Sequence, residues 1–234
     1  MKTSTAPLND GDQPAPVRLI VFAKAPRPGL AKTRLIPALG ADGAARLAQR
    51  MLDHTLAQAL AAQLGPVELC MSPAPDSPEW QSIELPANVG RSDQGAGDLG
   101  ERMARAMDRA LTAGQPVLLM GTDGPGLTAA FLQEAARKLA QHDAVLLPVR
   151  DGGYLLIGLR APCPAIFQQM AWSTAGVASE TLRRLAALNL SVWLGPTLHD
   201  IDDPQDLTLL PPDWGFSYDS GINPSSNGHL LLSI

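Results

Sequence analysis

Aromatic side chains are scarce, with four Phe, four Trp and two Tyr making up 4% of 234 residues, so aliphatic side chains must fill any core. Cysteine is rarer still. Cys70 and Cys163 cannot form a disulfide framework and lack metal-ligand spacing, which leaves them as buried small hydrophobes in a reducing cytoplasm. Basic residues are outnumbered, 18 Lys and Arg against 23 Asp and Glu, for a net charge of −5. That balance excludes a general nucleic-acid binder, because neutralising a phosphate backbone needs a basic face. No apolar run approaches the ~20 residues of a membrane span. The opening stretch MKTSTAPLNDGDQPAPVR holds no hydrophobic segment of the signal-peptide kind. Glycine and proline, 21 of each, fall below the roughly 25–30% that marks low-complexity chains. With 45% hydrophobic residues, a globular domain with a sizeable core is expected.

Residues 1–16 carry Pro, Asp and Ser/Thr without periodicity and read as a flexible N-terminal tail. Residues 17–23 (VRLIVFA) are apolar and rich in β-branched side chains, as a buried parallel strand is. Further strands are expected at 67–71, 116–120, 144–148, 154–159 and 191–194. Helices are expected at 42–64, 101–113, 128–141 and from just after Thr174 to about 189. Strands alternating with helices predict a mainly parallel sheet covered on both faces, with the domain spanning 17–210. A C-terminal tail, 211–234, has no helical pattern. Its last residues, HLLLSI, fit either an added edge strand or packing onto a partner, which leaves a homodimer open.

In open α/β sheets, ligands bind at the carboxyl ends of the strands, so the loops there come first. The loop after the first strand packs Lys24, Arg27, Lys32 and Arg34 into eleven residues of an acidic protein, shaped by Pro26 and Gly29. Those cations suit a di- or triphosphate through charge-assisted hydrogen bonds; a solvated basic loop is the plain alternative. A Walker A loop is excluded, because Ala31 and Pro26 stand where that motif requires glycine. The glycine-rich stretch from Gln94 through Gly97 and Asp98 to Gly100 opens a helix, with Arg102 in its first turn. Asp98 reads as an N-cap, and the glycines also let backbone amides approach a base or ribose. Asp123, in GTDGPG after PVLLM, fits either a ligand for Mg²⁺ or Mn²⁺ or an Asx-turn. Asp151, Gly152, Gly153 and Tyr154 form a turn or hairpin signal. Near the end, Asp203 and Asp206 suit the start of a helix at Pro204. Capping does not explain Asp200 and Asp202, which in an extended segment point to one side. His199 reads as a packing or hydrogen-bonding residue, since no second histidine is near.

In order along the chain, FAKAPRPGLAKTRL, GDLGERM, GTDGPGLT, DGGYLLIGL, AWSTAGV and HDIDDPQDL resemble a GT-A-like family often labelled arsenosugar-biosynthesis glycosyltransferase. The resemblance covers roughly residues 17–210. It implies a nucleotide-diphospho-sugar transferase fold, a Rossmann-like three-layer α/β/α domain with a mixed, mainly parallel sheet. More distantly the chain is similar to nucleotidyltransferases, including the guanylyltransferases that act on 2-phospholactate and on molybdopterin.

Carried onto this sequence, the resemblance implies Lys24, Arg27, Gly29, Lys32 and Arg34 at the nucleotide phosphates. It implies Gln94, Gly97, Asp98 and Arg102 near the nucleoside or its phosphates, and Asp123 and Asp202 at a Mg²⁺ or Mn²⁺ ion. Gly152, Gly153, Tyr154, Trp172 and Ser173 would border a small-molecule acceptor, with Asp151 as the group that orients or deprotonates it and Asp123 as its catalytic companion. The chain departs from the family pattern at Gly124, where cysteine is expected, at Asp203 for threonine and at Gln205 for glutamate. The implied activity is a metal-dependent glycosyltransferase with a nucleotide-diphospho-sugar donor. The lone Asp123, followed two residues later by Pro125 in place of an Asp-x-Asp, favours the alternative of nucleotidyl transfer. A non-catalytic nucleotide-binding module is the third reading.

Overall fold

A computed structural model describes residues 16–216. Seven strands form one sheet: β1 (Arg18–Lys24), β2 (Val67–Ser72), β3 (Val89–Asp93), β4 (Val117–Met120), β5 (Ala144–Pro148), β6 (Tyr154–Leu159) and β7 (Val192–Leu194). Their order is β3-β2-β1-β4-β6-β5-β7. Every pairing is parallel except those of β6, which runs antiparallel to both β4 and β5. The expected mixed, mainly parallel sheet is thus present. Strands β2, β4 and β5 are apolar runs buried almost end to end, as a sheet covered on both faces requires.

Helices α1 (Ile36–Ala61) and α3 (Ala129–Leu139) cover one face, and α2 (Leu99–Thr112) and α4 (Val177–Ala187) the other. Helix α2 shows why: Met103, Ala106, Met107, Ala110 and Leu111 repeat at helical spacing and are buried, while arginines occupy the other side. Helix α1 has two working faces. Leu52, Leu56 and Ala59 meet the sheet, whereas Ala44, Leu47 and Met51 join Leu35, Ile201, Leu207 and Leu210 in a separate cluster. That cluster docks the segment after β7 against the start of α1. Trp214 and Phe216 extend it, and Trp214 lies edge-on to His54 with Arg50 over its ring.

Several boundaries differ from the sequence expectation. Strand β3 (VGRSD) was not expected; it is an exposed edge strand without an apolar signal. Helix α1 begins six residues before position 42, with a break at Gly40, whose φ of 71° lies in the left-handed region. The helix expected at Pro204 is a 3-10 turn, Pro204–Leu209, and another such turn, Pro212–Trp214, follows. Residues 1–15 and 217–234, including HLLLSI, lie outside the described residues.

One charge cluster belongs to the framework. Glu68 of β2, buried on the α2 face, accepts from Arg109 at 2.6 Å, from Ser92 at 2.5 Å and from Arg18 at 3.3 Å.

Candidate active site at one edge of the sheet

The parallel strands β1, β4, β5 and β7 end at the same edge, and the antiparallel β6 begins there. Their loops surround a cavity of about 560 Å³. Among the residues marked out by the sequence, Lys24, Lys32, Arg34, Gln94, Asp123, Asp151, Gly153, Tyr154, Trp172, Ser173 and Asp202 line it. One part of the wall is apolar, with Phe22, Leu30, Leu99, Met103 and Leu119 beside Tyr154 and Trp172. The other part is densely charged.

Lys32 is the centre of the charged part. Its Nζ lies 2.6 Å from Asp123 Oδ1 and 2.9 Å from Asp202 Oδ1, and donates to the Ile201 carbonyl at 2.6 Å. The side chain is only 8% exposed. Burial works against its charge, yet the adjacent Asp123 and Asp202 outweigh it and hold the ammonium above the ordinary lysine pKa. Its backbone is left-handed, φ 51°, in a residue that is not glycine. Arg34 is more open and approaches Asp202 Oδ2 to 4.0 Å.

Two backbone devices deliver the acidic residues. The Ile201 amide donates to the Asp123 carbonyl at 2.9 Å, fastening the segment after β7 to the loop after β4. Asp206 accepts from the amides of Asp202 and Asp203, fixing the turn that carries Asp202. Asp151, Asp200 and Asp202 then offer carboxylate oxygens within 4.8 Å of one another. Burial, followed by the negative charge of Asp151 and then of Asp202 and Asp123, pushes the Asp200 carboxyl up to about 6. Clustered hard oxygen donors that repel one another fit a divalent cation of the Mg²⁺ or Mn²⁺ kind. The sequence pattern gives Asp200 no role of its own; its alternation with Asp202, which capping does not explain, is the signal that marks it.

The remaining marked residues stand outside the cavity lining. Arg27 turns away, its Nε donating to the Glu79 carbonyl at 2.6 Å and its Nη2 to Ser82 Oγ at 2.7 Å. Gly29 adopts a φ of 78° in the same loop. Asp98 caps α2 in a reciprocal box with Glu101. Arg102 donates to the Gly97 carbonyl at 2.9 Å, bracing the glycine loop that Arg105 also holds at Ala96. Gln94 lines the cavity, but its amide is spent on the carbonyls of Ala23 and Cys70. Gly152, φ 90°, lies so close to the Ala175 carbonyl that a Cβ would collide with it. Gly124 leaves its Cβ space to the Leu155 side chain, so cysteine there would require Leu155 to move.

The sequence pattern of a family described as "Uncharacterized protein conserved in bacteria (DUF2064)" matches residues 55–174. The chain belongs to this family. No curated protein matches the DUF2064 chain. A crystal structure from Desulfovibrio desulfuricans G20, assigned as a nucleotide-diphospho-sugar transferase, is 34% identical over 82% of this chain and 85% of its own, with a TM-score of 0.76. Rv0371c from Mycobacterium tuberculosis H37Rv shares 15% identity over 83% of this chain and 97% of its own, with a TM-score of 0.53. A 4-diphosphocytidyl-2C-methyl-D-erythritol synthase from Anaerococcus prevotii DSM 20548 shares 11% over 83% and 94%, also at 0.53. The last two are similar in fold alone. By its 34% identical structural relative, this DUF2064 chain stands among the transferases. Among the described residues, no helix is long and apolar enough to cross a membrane.

Proposed function

We propose that the chain is a metal-dependent cytoplasmic transferase that takes a nucleotide-diphospho-sugar as donor and a small molecule as acceptor. The observation that carries this reading is the convergence of Lys32 and Arg34 with Asp123, Asp151, Asp200 and Asp202 at one edge of the sheet, within a cavity large enough for a nucleotide. The proposed catalytic domain is 17–210. Asp123 and Asp202, with Asp151 and Asp200, would hold Mg²⁺ or Mn²⁺, with Lys32 paired to the first two. When bound, the ion supplies charge neutralisation on phosphate oxygens. Lys24, Lys32 and Arg34 would stabilise the charge that develops on the leaving diphosphate. Asp151 would orient or deprotonate an acceptor hydroxyl attacking the sugar carbon, beside Gly153, Tyr154, Trp172 and Ser173. Arg27, Gly29, Gly97, Asp98, Arg102 and Gly152 support this reading as residues that shape the nucleotide and acceptor loops.

Nucleotidyl transfer is the second reading. It is favoured by the absence of an Asp-x-Asp at Asp123, whose partner carboxylates arrive from a distant segment. In that case a substrate phosphate attacks the α-phosphorus of a nucleoside triphosphate, and pyrophosphate leaves. A thermal-shift panel of UDP-sugars, GDP-sugars and nucleoside triphosphates, each with and without Mn²⁺ or Mg²⁺, separates the two. A ligand at about 100 times its Kd should add roughly 2.7 kcal/mol. Stabilisation by a nucleotide sugar above its nucleoside triphosphate supports glycosyl transfer; the reverse order supports nucleotidyl transfer. No metal-dependent stabilisation by either class would overturn both.

A further inference from the structure

Lys32 has two claims on its charge. A phosphate-gripping ammonium needs free protons, yet all three of its N–H groups already face acceptors, Asp123 Oδ1, Asp202 Oδ1 and the Ile201 carbonyl. Asp202 is claimed twice as well. It pairs with Lys32 and is also one corner of the Asp151–Asp200–Asp202 cluster. An ammonium and a divalent ion on either side of one carboxylate repel each other.

We infer that Lys32 is an internal counter-ion: it disfavours a divalent cation in the acidic pocket until a nucleotide diphosphate draws its ammonium away. Metal and nucleotide then enter as a linked pair. This rests on the reading above that the cavity takes a nucleotide diphosphate together with a metal ion. The exchange needs no change in the sheet. Lysine is a compact charge on a flexible four-carbon stem, so rotation of the side chain carries Nζ from the carboxylates toward the open cavity that Lys32 already lines. The diphosphate replaces the two lost ion pairs with its own negative charge. The vacated Asp202 oxygen then becomes available to the cation. Arg34 lacks this position, being 62% exposed and 4.0 Å from Asp202, and is the natural control.

An internal counter-ion has a signature with two opposite signs. Removing the Lys32 charge should strengthen metal binding in the absence of nucleotide and weaken diphosphate binding. A lysine that only grips phosphate shows the second effect alone. A lysine that only supports the fold weakens both.

The test titrates the full chain with Mn²⁺, without nucleotide, following free Mn²⁺ by electron paramagnetic resonance. Lys32→Met should bind Mn²⁺ about tenfold tighter than the wild type. Arg34→Met should gain no more than about threefold, because its charge is screened by solvent. Calorimetry with GDP and UDP should show Lys32→Met binding the preferred one at least about tenfold more weakly. Lys32→Met binding Mn²⁺ no tighter than Arg34→Met overturns the inference.

A wild-type measurement covers the case in which the variant does not fold. The chain has four lysines, Lys2, Lys24, Lys32 and Lys138, so the ammonium resonances of ¹⁵N-lysine-labelled protein can be assigned. The Lys32 ammonium should be protected from exchange in the free protein and move on addition of GDP or UDP with Mg²⁺. Tight nucleotide binding with an unmoved Lys32 resonance overturns the exchange alone. Absence of nucleotide binding overturns the transferase reading with it.

Discussion

Two charge clusters sit on opposite sides of β1, and they are built on different balances. On the β2 side, one carboxylate, Glu68, meets two guanidinium groups, Arg18 and Arg109, and the Ser92 hydroxyl. On the β4 side, Asp123 and Asp202 meet one buried ammonium, Lys32, Asp151 and Asp200 cluster with Asp202, and the more open Arg34 approaches Asp202 only to 4.0 Å. The first cluster is complete as it stands. The second holds surplus negative charge, and a protein retains such a surplus at a cost to its stability. Completeness marks framework; surplus marks a place for a ligand.

Breaking the second cluster should have the largest effect on function. Asp123→Ala is expected to abolish metal-dependent nucleotide stabilisation in thermal shift, while far-UV circular dichroism stays native. Normal metal dependence in that variant would separate Asp123 from the metal site. Breaking the first cluster should do the reverse. Glu68→Ala strands two arginines that now donate to a carboxylate, and should cost about 1.5–3 kcal/mol in urea unfolding. Its nucleotide affinity should match the wild type; a parallel loss of affinity would make the Glu68 cluster part of the site.

The smallest effect concerns pH. The Asp200 carboxyl, raised from 3.8 to about 6 in the fold, binds its proton more tightly there than in the unfolded chain. Between those values the folded state therefore holds more protons, and stability falls as pH rises. The metal-free wild type should lose stability relative to Asp200→Asn as pH climbs from about 4 to about 6. The two melting curves should converge near the lower end. A difference that stays constant over the range would mean that Asp200 is not crowded by its neighbours.

Much of this architecture could be read directly from the residues. The strands at 17–23, 116–120 and 144–148 announce themselves because burial on both faces demands unbroken apolar runs. Strand β3 does not, since an exposed edge strand places no such demand on VGRSD. Asp98 and Asp206 declare their capping roles through local spacing, which is where short-range hydrogen bonds are written. The contact between Lys32 and Asp202 spans 170 residues, so no local pattern could carry it. Arg27 illustrates the opposite failure. It belongs to the same basic run as Lys32, but the carbonyl that claims it lies 52 residues away at Glu79. Charge type was legible in the sequence, and direction was not.

The backbone bond from Ile201 to Asp123 also sets a timetable. During synthesis the basic loop, β1 and β4 emerge long before residues 200–202, so a growing chain owns the cationic half of its cavity first. Closing the loop between 123 and 201 carries an entropic cost that the docking of Ile201, Leu207 and Leu210 on α1 must offset. Asp200 and Asp202 therefore arrive late, after Asp123 and Asp151, and are held by one small cluster rather than by the sheet. In the mature protein the same segment is the natural first place to open, so slow breathing there would dissolve the cation site while leaving the strands paired.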